Sequence, residues 1–364
     1  MLFLIVIDGL FTKAGDAFPS LDNLVAGGKV GQVDWNDDPN LAAAGSALFR
    51  ICNRSLPAPG SDLPTAYYAA LGLGLNPDPA RIWSHLAFTH LLRKREKLLI
   101  MSPQRTGQTP AEAIDLANSL NDLFTSEDWQ LHAGDGSNLL VSRSQLKQIS
   151  CRPLKLLEGD SFLESMPAGE AEVDFRRLLN SSQLELHHHP LNQQRKEAGR
   201  SQLNTAWFWG IGQGDAGDNT LHGWHCLAED PAVRGLVLAA GGEAQAPENG
   251  SAAALAVASG DKNIIFWDQP ATLLRHGQVD DWRASLLELE ASLLMPLAQR
   301  YPESKIVLTA PNYYDEKALL VAGPVPWVAG SAALLGKKRR FWQRQSLEGG
   351  AVMSGQEFGK LWLK

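Results

Sequence analysis

Residues Leu2–Ile7 (LFLIVI) form an unbroken apolar run that ends in Asp8-Gly9. A strand with one wet face alternates apolar and polar residues. A short continuous apolar run bounded by turn residues is instead the pattern of a strand buried on both faces. Such strands build the parallel sheets of α/β proteins, which gather their ligands at the carboxyl ends of the strands. Asp8 stands at that place, either as a ligand or catalytic group or as a turn-former before Gly9. The run is far short of the roughly 18 apolar residues that a membrane span takes. Asp8, with no basic segment ahead of it, also makes the run a poor signal peptide.

The rest of the chain alternates strand-like and helix-like segments. Strands are expected at Val30–Trp35, Trp83–Thr89, Leu98–Met101, Thr205–Trp209, Ile264–Trp267 and Lys305–Thr309. Helices are expected near Ser20–Ala26, over Asn40–Cys52, from Ser61 through Tyr67–Leu71, over Ala232–Ala240 and Ala252–Val257, and over Asp281–Arg300. Thr109-Pro110-Ala111-Glu112 is a capping box with Pro at the first helical position. Trp129–His132 and Leu139–Ser142 flank Gly134-Asp135-Gly136, a hairpin signal. Phe175, Leu178, Leu179, Ser182 and Leu186 recur on one helical face. Alternation at both ends of the chain predicts a doubly wound α/β core built from 1–77 and 171–364, with a small α+β insertion over 78–170.

A length of 364 residues suits two domains, and 44% hydrophobic with 20% charged residues excludes a disordered chain. The net charge of −7 argues against nucleic acid as a partner. Three widely spaced cysteines, Cys52, Cys151 and Cys226, make neither a disulfide framework nor a metal knuckle, and they fit a cytoplasmic protein. No membrane partner is expected either.

Several residues invite chemistry, and each has a plainer reading. Ser61 opens a predicted helix, where backbone N–H groups favour an anion, but Ser is also a preferred N-cap. Gly210-Ile211-Gly212-Gln213-Gly214 imitates a dinucleotide loop, yet polar Asp215–Asn219 follows where a helix should begin. His187-His188-His189 could hold a metal, but neighbouring residues on a helix diverge and Pro190 follows, so a helix-end cluster is favoured. His222, His225 and Cys226 have near-ligand spacing in an expected loop. Gly336-Lys337-Lys338-Arg339-Arg340 reads as a solvated loop or a phosphate- or partner-binding segment.

The order of these segments resembles a known family. Phe3–Leu10 is similar to the opening of the archaeal-type, cofactor-independent phosphoglycerate mutases of the alkaline phosphatase superfamily. Gly60-Ser61-Asp62, an Ala- and Leu-rich helix and Gly72-Leu73-Gly74 resemble that family's nucleophile segment. His189-Pro190-Leu191-Asn192 and Asn204–Gly214 resemble its His-Pro-Val-Asn and Trp-Leu-Trp-Gly-Gln-Gly signatures. Arg176–Asn180 and His189–Gln193 also resemble a proteobacterial branch described as Rpf-type regulatory or phosphoglycerate-mutase-like.

The resemblance implies an alkaline-phosphatase-like core and a phosphoenzyme mechanism. In it a Ser accepts and returns a phosphoryl group between two divalent metals of the Mn²⁺ kind. Asp8 matches the first metal-ligand Asp, Ser61 the nucleophile and metal-bound hydroxyl, and His276 a ligand His. The other ligand positions do not match. The Asp of the Asp-Glu-Ala-Gly-His motif falls on Thr272, the Asp-His of the next motif on Pro311-Asn312, and the last His on Leu319–Val321. Arg275 adds positive charge beside the metal position. Asp8, Ser61 and His276 supply too few ligands for two divalent ions. The expectation is a remnant site with no resident cofactor, in a non-catalytic protein that binds a small phosphorylated metabolite or a regulatory protein partner. The alternative is an active mutase or phosphatase that uses Ser61 and a divalent metal held by shifted ligands such as Asp268 or the His222/His225 pair.

Overall fold

The computed structural model describes residues 1–7, 29–34, 48–49, 51–52, 54–58, 60–134, 136–215, 217–247, 260–270, 273, 278–301, 305–310, 317–324 and 352–354. Asp8 and His276 lie outside the described residues. So do the helices expected at Ser20–Ala26 and Ala252–Val257, most of the one expected over Asn40–Cys52, and the basic segment Lys337–Arg340. The chain forms two compact units, one of Met1–Ser55 with Gly217–Lys364 and one of Leu56–Ala216.

The first unit opens with β1 (Leu2–Ile7) and β2 (Lys29–Asp34). Phe3 through Ile7 are fully buried, as an unbroken apolar run requires. The second unit intervenes. Its elements are α1 (Thr65–Gly72), β3 (Ile82–Lys94), β4 (Lys97–Met101), α2 (Pro103–Thr106), α3 (Pro110–Ser119) and α4 (Asn121–Ser126). They continue with β5 (Gln130–Ala133), β6 (Leu139–Arg143), β7 (Ile149–Ser150), β8 (Ala168–Gly169), α5 (Glu172–His188), α6 (Pro190–Glu197) and β9 (Thr205–Gly212). The first unit then resumes with β10 (Trp224–Ala228), α7 (Pro231–Ala239), β11 (Glu243–Gln245) and β12 (Lys262–Trp267). It ends with α8 (Val279–Leu289), α9 (Met295–Arg300), β13 (Lys305–Ala310), β14 (Lys317–Pro324) and β15 (Val352–Ser354).

In the first unit the strands lie in the order β11-β10-β12-β1-β13-β14-β2-β15. Its pairings are parallel except those of β14, which runs against both β13 and β2. β1 therefore sits inside the sheet, which grows outward on either side of it, as expected of a doubly wound α/β fold. α8, α9 and the turn between them carry the chain from β12 to β13 and bury Trp282, Leu286, Leu289, Leu293, Leu294 and Leu297. The wide π turn Glu290–Leu294 joins them. Pro296 follows at once and has no N–H to give the Ser292 carbonyl, which interrupts the regular helical ladder there.

The second unit is built on the 13-residue strand β3. β3 pairs antiparallel with β6, β9 and β4, and the charged run Arg93–Lys97 forms the tight turn into β4 rather than a longer separator. α5 buries Phe175, Leu178, Leu179, Ser182 and Leu186, the stripe its sequence predicts, in one core with Leu86, Phe88, Leu116, Phe124, Val141 and Phe208. This unit extends past the expected 78–170 at both ends. β9 pairs with β3 over Thr205↔Thr89 to Gly212↔Trp83, and α5 packs into the same core, so the segment from α5 through β9 belongs here.

Candidate functional site

Of the three residues expected at the site, Ser61 is the one the described residues include. It does not open a helix. α1 begins four residues later at Thr65, with Pro64 as its N-cap and no side-chain cap. Pro64 disfavours helical backbone at Leu63, so the helix cannot start before it. Ser61 therefore lies in a loop, half-buried, after Gly60 in a left-handed turn at φ +80°. Its amide donates to the Ala58 carbonyl at 3.1 Å, and its hydroxyl has Gln148 Nε2 at 3.4 Å.

The residue after it is the buried one. Asp62 is 8% exposed, and its carboxylate is ringed by donors. Oδ1 accepts from the Cys151 amide at 2.8 Å and from Ser150 Oγ at 3.2 Å, while Oδ2 accepts from the Ile211 amide at 3.2 Å. The Gly210 backbone adds a fourth hydrogen bond. Burial pushes the carboxyl up to about 6, and these four donors resist that shift. The carboxylate in turn adds to the burial that raises the Cys151 thiol.

A bulge in β9 supplies the Ile211 and Gly210 donors. From Trp83↔Gly212 to His85↔Trp209, β3 contributes Ser84 alone while β9 contributes Gly210 and Ile211. Gly210 adopts φ +64°, the left-handed conformation that a bulge with a leading glycine uses. The extra residue turns ladder amides out of the sheet and toward Asp62.

The glycine run that imitated a dinucleotide loop has a packing role. No helix follows it, and Gly210 and Gly212 lie within β9. A Cβ on Gly210 would meet Thr65 Oγ1, one on Gly212 would fall 2.8 Å from Pro64 Cβ, and one on Gly214 would enter the Tyr67 ring. The glycines thus let β9 approach the start of α1 closely. His85 completes this cluster. It is buried, its ring stacks on Trp209 at 4.9 Å and 12°, and it bonds the Thr65 backbone. Burial, helped by the charge of Lys155, pushes it down to about 3.

The other histidine candidates fall to plainer roles. His187 and His188 end α5, and His189 Nδ1 accepts from the Leu191 amide at 3.2 Å as the N-cap of α6. Asn192 fastens this corner, donating to the Leu186 and Leu203 carbonyls and accepting from the Leu203 amide. His225 pairs with Glu243 at 3.1 Å, and Cys226 is buried. Among the described residues no group of three or more His, Cys, Asp or Glu is placed to hold a metal ion. Leu319–Val321, where the resemblance puts the last ligand His, lie in the interior of β14, paired with β13 on one side and β2 on the other. Apolar side chains at Leu319–Val321 offer a metal no ligand at the position where the resemblance puts that His. The sequence alone assigns Asp62 no role beside Ser61. An acidic residue two positions before a helix-starting Pro was the available signal.

No helix among the described residues is long and apolar enough to cross a membrane. No family model matches the chain. It is 32% identical over 117 residues to a probable 2,3-bisphosphoglycerate-independent phosphoglycerate mutase of Geobacter sulfurreducens, covering 32% of this chain and 29% of that protein. A 2,3-bisphosphoglycerate-independent phosphoglycerate mutase of Methanosarcina mazei is 27% identical over 193 residues, 48% of this chain and 47% of that one. The matches thus span about half or less of these relatives. A solved protein of Pyrococcus horikoshii shares the fold, with a TM-score of 0.57 at 15% identity over 99% of this chain and 96% of that one. The chain is a mixed α/β protein whose homologues are 2,3-bisphosphoglycerate-independent phosphoglycerate mutases, at low identity.

Proposed function

We propose that this chain is a phosphoglycerate-mutase-like protein with a degraded two-metal site, and that it binds a small phosphorylated metabolite or a regulatory protein partner instead of catalysing the mutase reaction. The observation that carries this reading is a mismatch. The Ser61 loop is held by a buried carboxylate with four donors, whereas the segment expected to give the last metal ligand is the apolar interior of a strand. Selection for an anion site alone would keep the loop and release the ligands. Ser61 Oγ and Gln148 Nε2, 3.4 Å apart, are two donors suited to one phosphoryl oxygen pair. The test is phosphoglycerate mutase turnover with added Mn²⁺, run beside Ser61→Ala. Turnover no higher than in that variant is expected. Turnover that Ser61→Ala abolishes would overturn the reading.

One observation favours a second reading, an active metal-dependent mutase or phosphatase with rearranged ligands. Glu229 and Asp268 directly follow β10 and β12, neighbouring parallel strands, and Asp268's charge adds to the burial that raises the Glu229 carboxyl. Two carboxylates at the carboxyl edge of a parallel sheet, beside the strand that leads into Asp8, are the kind of group that could replace lost ligands. Under this reading Mn²⁺ or Zn²⁺ binds stoichiometrically, and Asp8→Ala abolishes that binding.

A further inference from the structure

We infer that Asp62 is the positioning residue of the Ser61 hydroxyl: by tying the loop to the Gly210 bulge of β9 and to Cys151, it sets where that hydroxyl meets a phosphoryl oxygen. The inference rests on the proposed reading of Ser61 as an anion-binding group.

Ser61 is weakly held by its own contacts. Its side chain has one neighbour at the outer limit of a hydrogen bond, Gln148 Nε2 at 3.4 Å, and Gln148 itself is exposed. Its amide is bound at 3.1 Å to Ala58, three residues back in the same loop. The preceding Gly60 is free to take many backbone conformations. Among the described residues, neither of these contacts of Ser61 reaches β3 or β9.

Asp62 supplies that tie. One oxygen takes the Cys151 amide and the Ser150 hydroxyl, the other the Ile211 amide, so the carboxylate bridges the segment after β7 and the bulge of β9. Neither oxygen is hydrogen-bonded to Ser61, so Asp62 acts on Ser61 through the backbone and not as its base. The bulge is shaped for this contact, because a regular β9 would spend the Ile211 amide on β3 or on solvent. Burying a carboxylate for stability alone is a poor use of it, since a well-packed apolar group generally does as well. An ionised group with two oxygens and four donors does fix one loop geometry among many.

Asn is the informative replacement. Its single carbonyl oxygen can keep the Cys151 side or the Ile211 side, and its NH₂ then faces an N–H on the other. Asp62→Asn is therefore half a clamp, and Asp62→Ala is none.

The experiment uses the full chain with 3-phosphoglycerate as probe, titrated calorimetrically against wild type, Ser61→Ala, Asp62→Asn and Asp62→Ala. Amide hydrogen exchange is measured on the peptides covering 57–64 and 206–212. Asp62→Asn should fold and weaken 3-phosphoglycerate by about tenfold, toward the Ser61→Ala level, as expected when a buried donor loses its acceptor. Exchange in 57–64 should rise in the order wild type, Asn, Ala, with the far end of α1 unchanged. Wild-type affinity in Asp62→Asn overturns the inference, and so does unchanged exchange in 57–64 of Asp62→Ala. If wild type binds no 3-phosphoglycerate, the anion-site reading fails, and the exchange result still decides whether Asp62 holds the loop.

Discussion

His85 should make the second unit sensitive to mild acid. Its ring is buried on β3, stacked on Trp209 and bonded to the Thr65 backbone, and burial holds it neutral until the pH falls to about 3. In the unfolded chain the same imidazole protonates near 6.5. A folded pKa lowered below the unfolded one means that the unfolded state binds the extra proton. Stability from a neutral His85 is therefore complete above about pH 6.5 and lost as pH falls toward the folded value. The loss approaches about 5 kcal/mol well below pH 3, and about 2 kcal/mol of it falls between pH 7 and pH 5. Asp62 works the other way. Its carboxyl is raised from 3.8 to about 6, so its contribution is complete below the unfolded value and lost as pH rises through the folded one. From pH 7 to pH 5 it returns about 1 kcal/mol. Wild type should thus show a net loss of only about 1 kcal/mol over that range from the two groups together.

The variant that separates them is His85→Phe, which keeps a flat ring against Trp209 and removes the titration. It should cost about 1 kcal/mol at pH 7 for the lost bond to Thr65. Urea denaturation of the full chain at pH 7, 6 and 5, followed by tryptophan fluorescence, reads the difference. The gap between wild type and variant should close and then reverse as pH falls, moving by about 2 kcal/mol in favour of His85→Phe. Parallel pH profiles for the two proteins would mean that His85 is not held neutral by burial, and the reasoning would fail.

Gly210→Ala should lower stability by about 2–3 kcal/mol, from a left-handed backbone and a Cβ driven into Thr65 and His85. Thermal melting checks it, and a shift no larger than that of a surface Gly→Ala would refute the bulge geometry. Arg195→Ala should cost about 3 kcal/mol, because the buried guanidinium serves Glu112 at 2.7 Å and the Thr106 and Ser201 carbonyls together. Arg200 still holds Glu112 in that variant, so the loss should stay below that of a buried pair cut outright, as a melting curve would report.

What was legible in the sequence was local. The run Leu2–Ile7 announces a strand buried on both faces, and the spacing of Phe175, Leu178, Leu179, Ser182 and Leu186 announces the inner face of α5. Thr109 and Glu112 form the reciprocal capping box their spacing predicts. In each case the signal and its cause lie within about one to four helical turns or one strand. The Ser61 loop fails as a helix start for an equally local reason, Pro64, which disfavours helical backbone at Leu63. The width of the second unit was not legible, because it depends on β9 finding β3 across more than a hundred residues.

Gly210, Asp62 and His85 show why the site resists reading one residue at a time. Alone, each has a dull explanation: a strand-ending glycine, an acidic loop residue, a histidine in an apolar strand. Their meaning comes from contact. The left-handed Gly210 frees the amide that Asp62 binds, and its missing Cβ leaves room for the Thr65 hydroxyl and the His85 ring. A substitution at any one of the three should therefore be felt by the other two, and double-mutant cycles among them should depart from additivity. The glycine run looked like a phosphate cradle because close backbone approach demands glycine whatever is approached. Here the thing approached is the start of α1, from Pro64 to Tyr67.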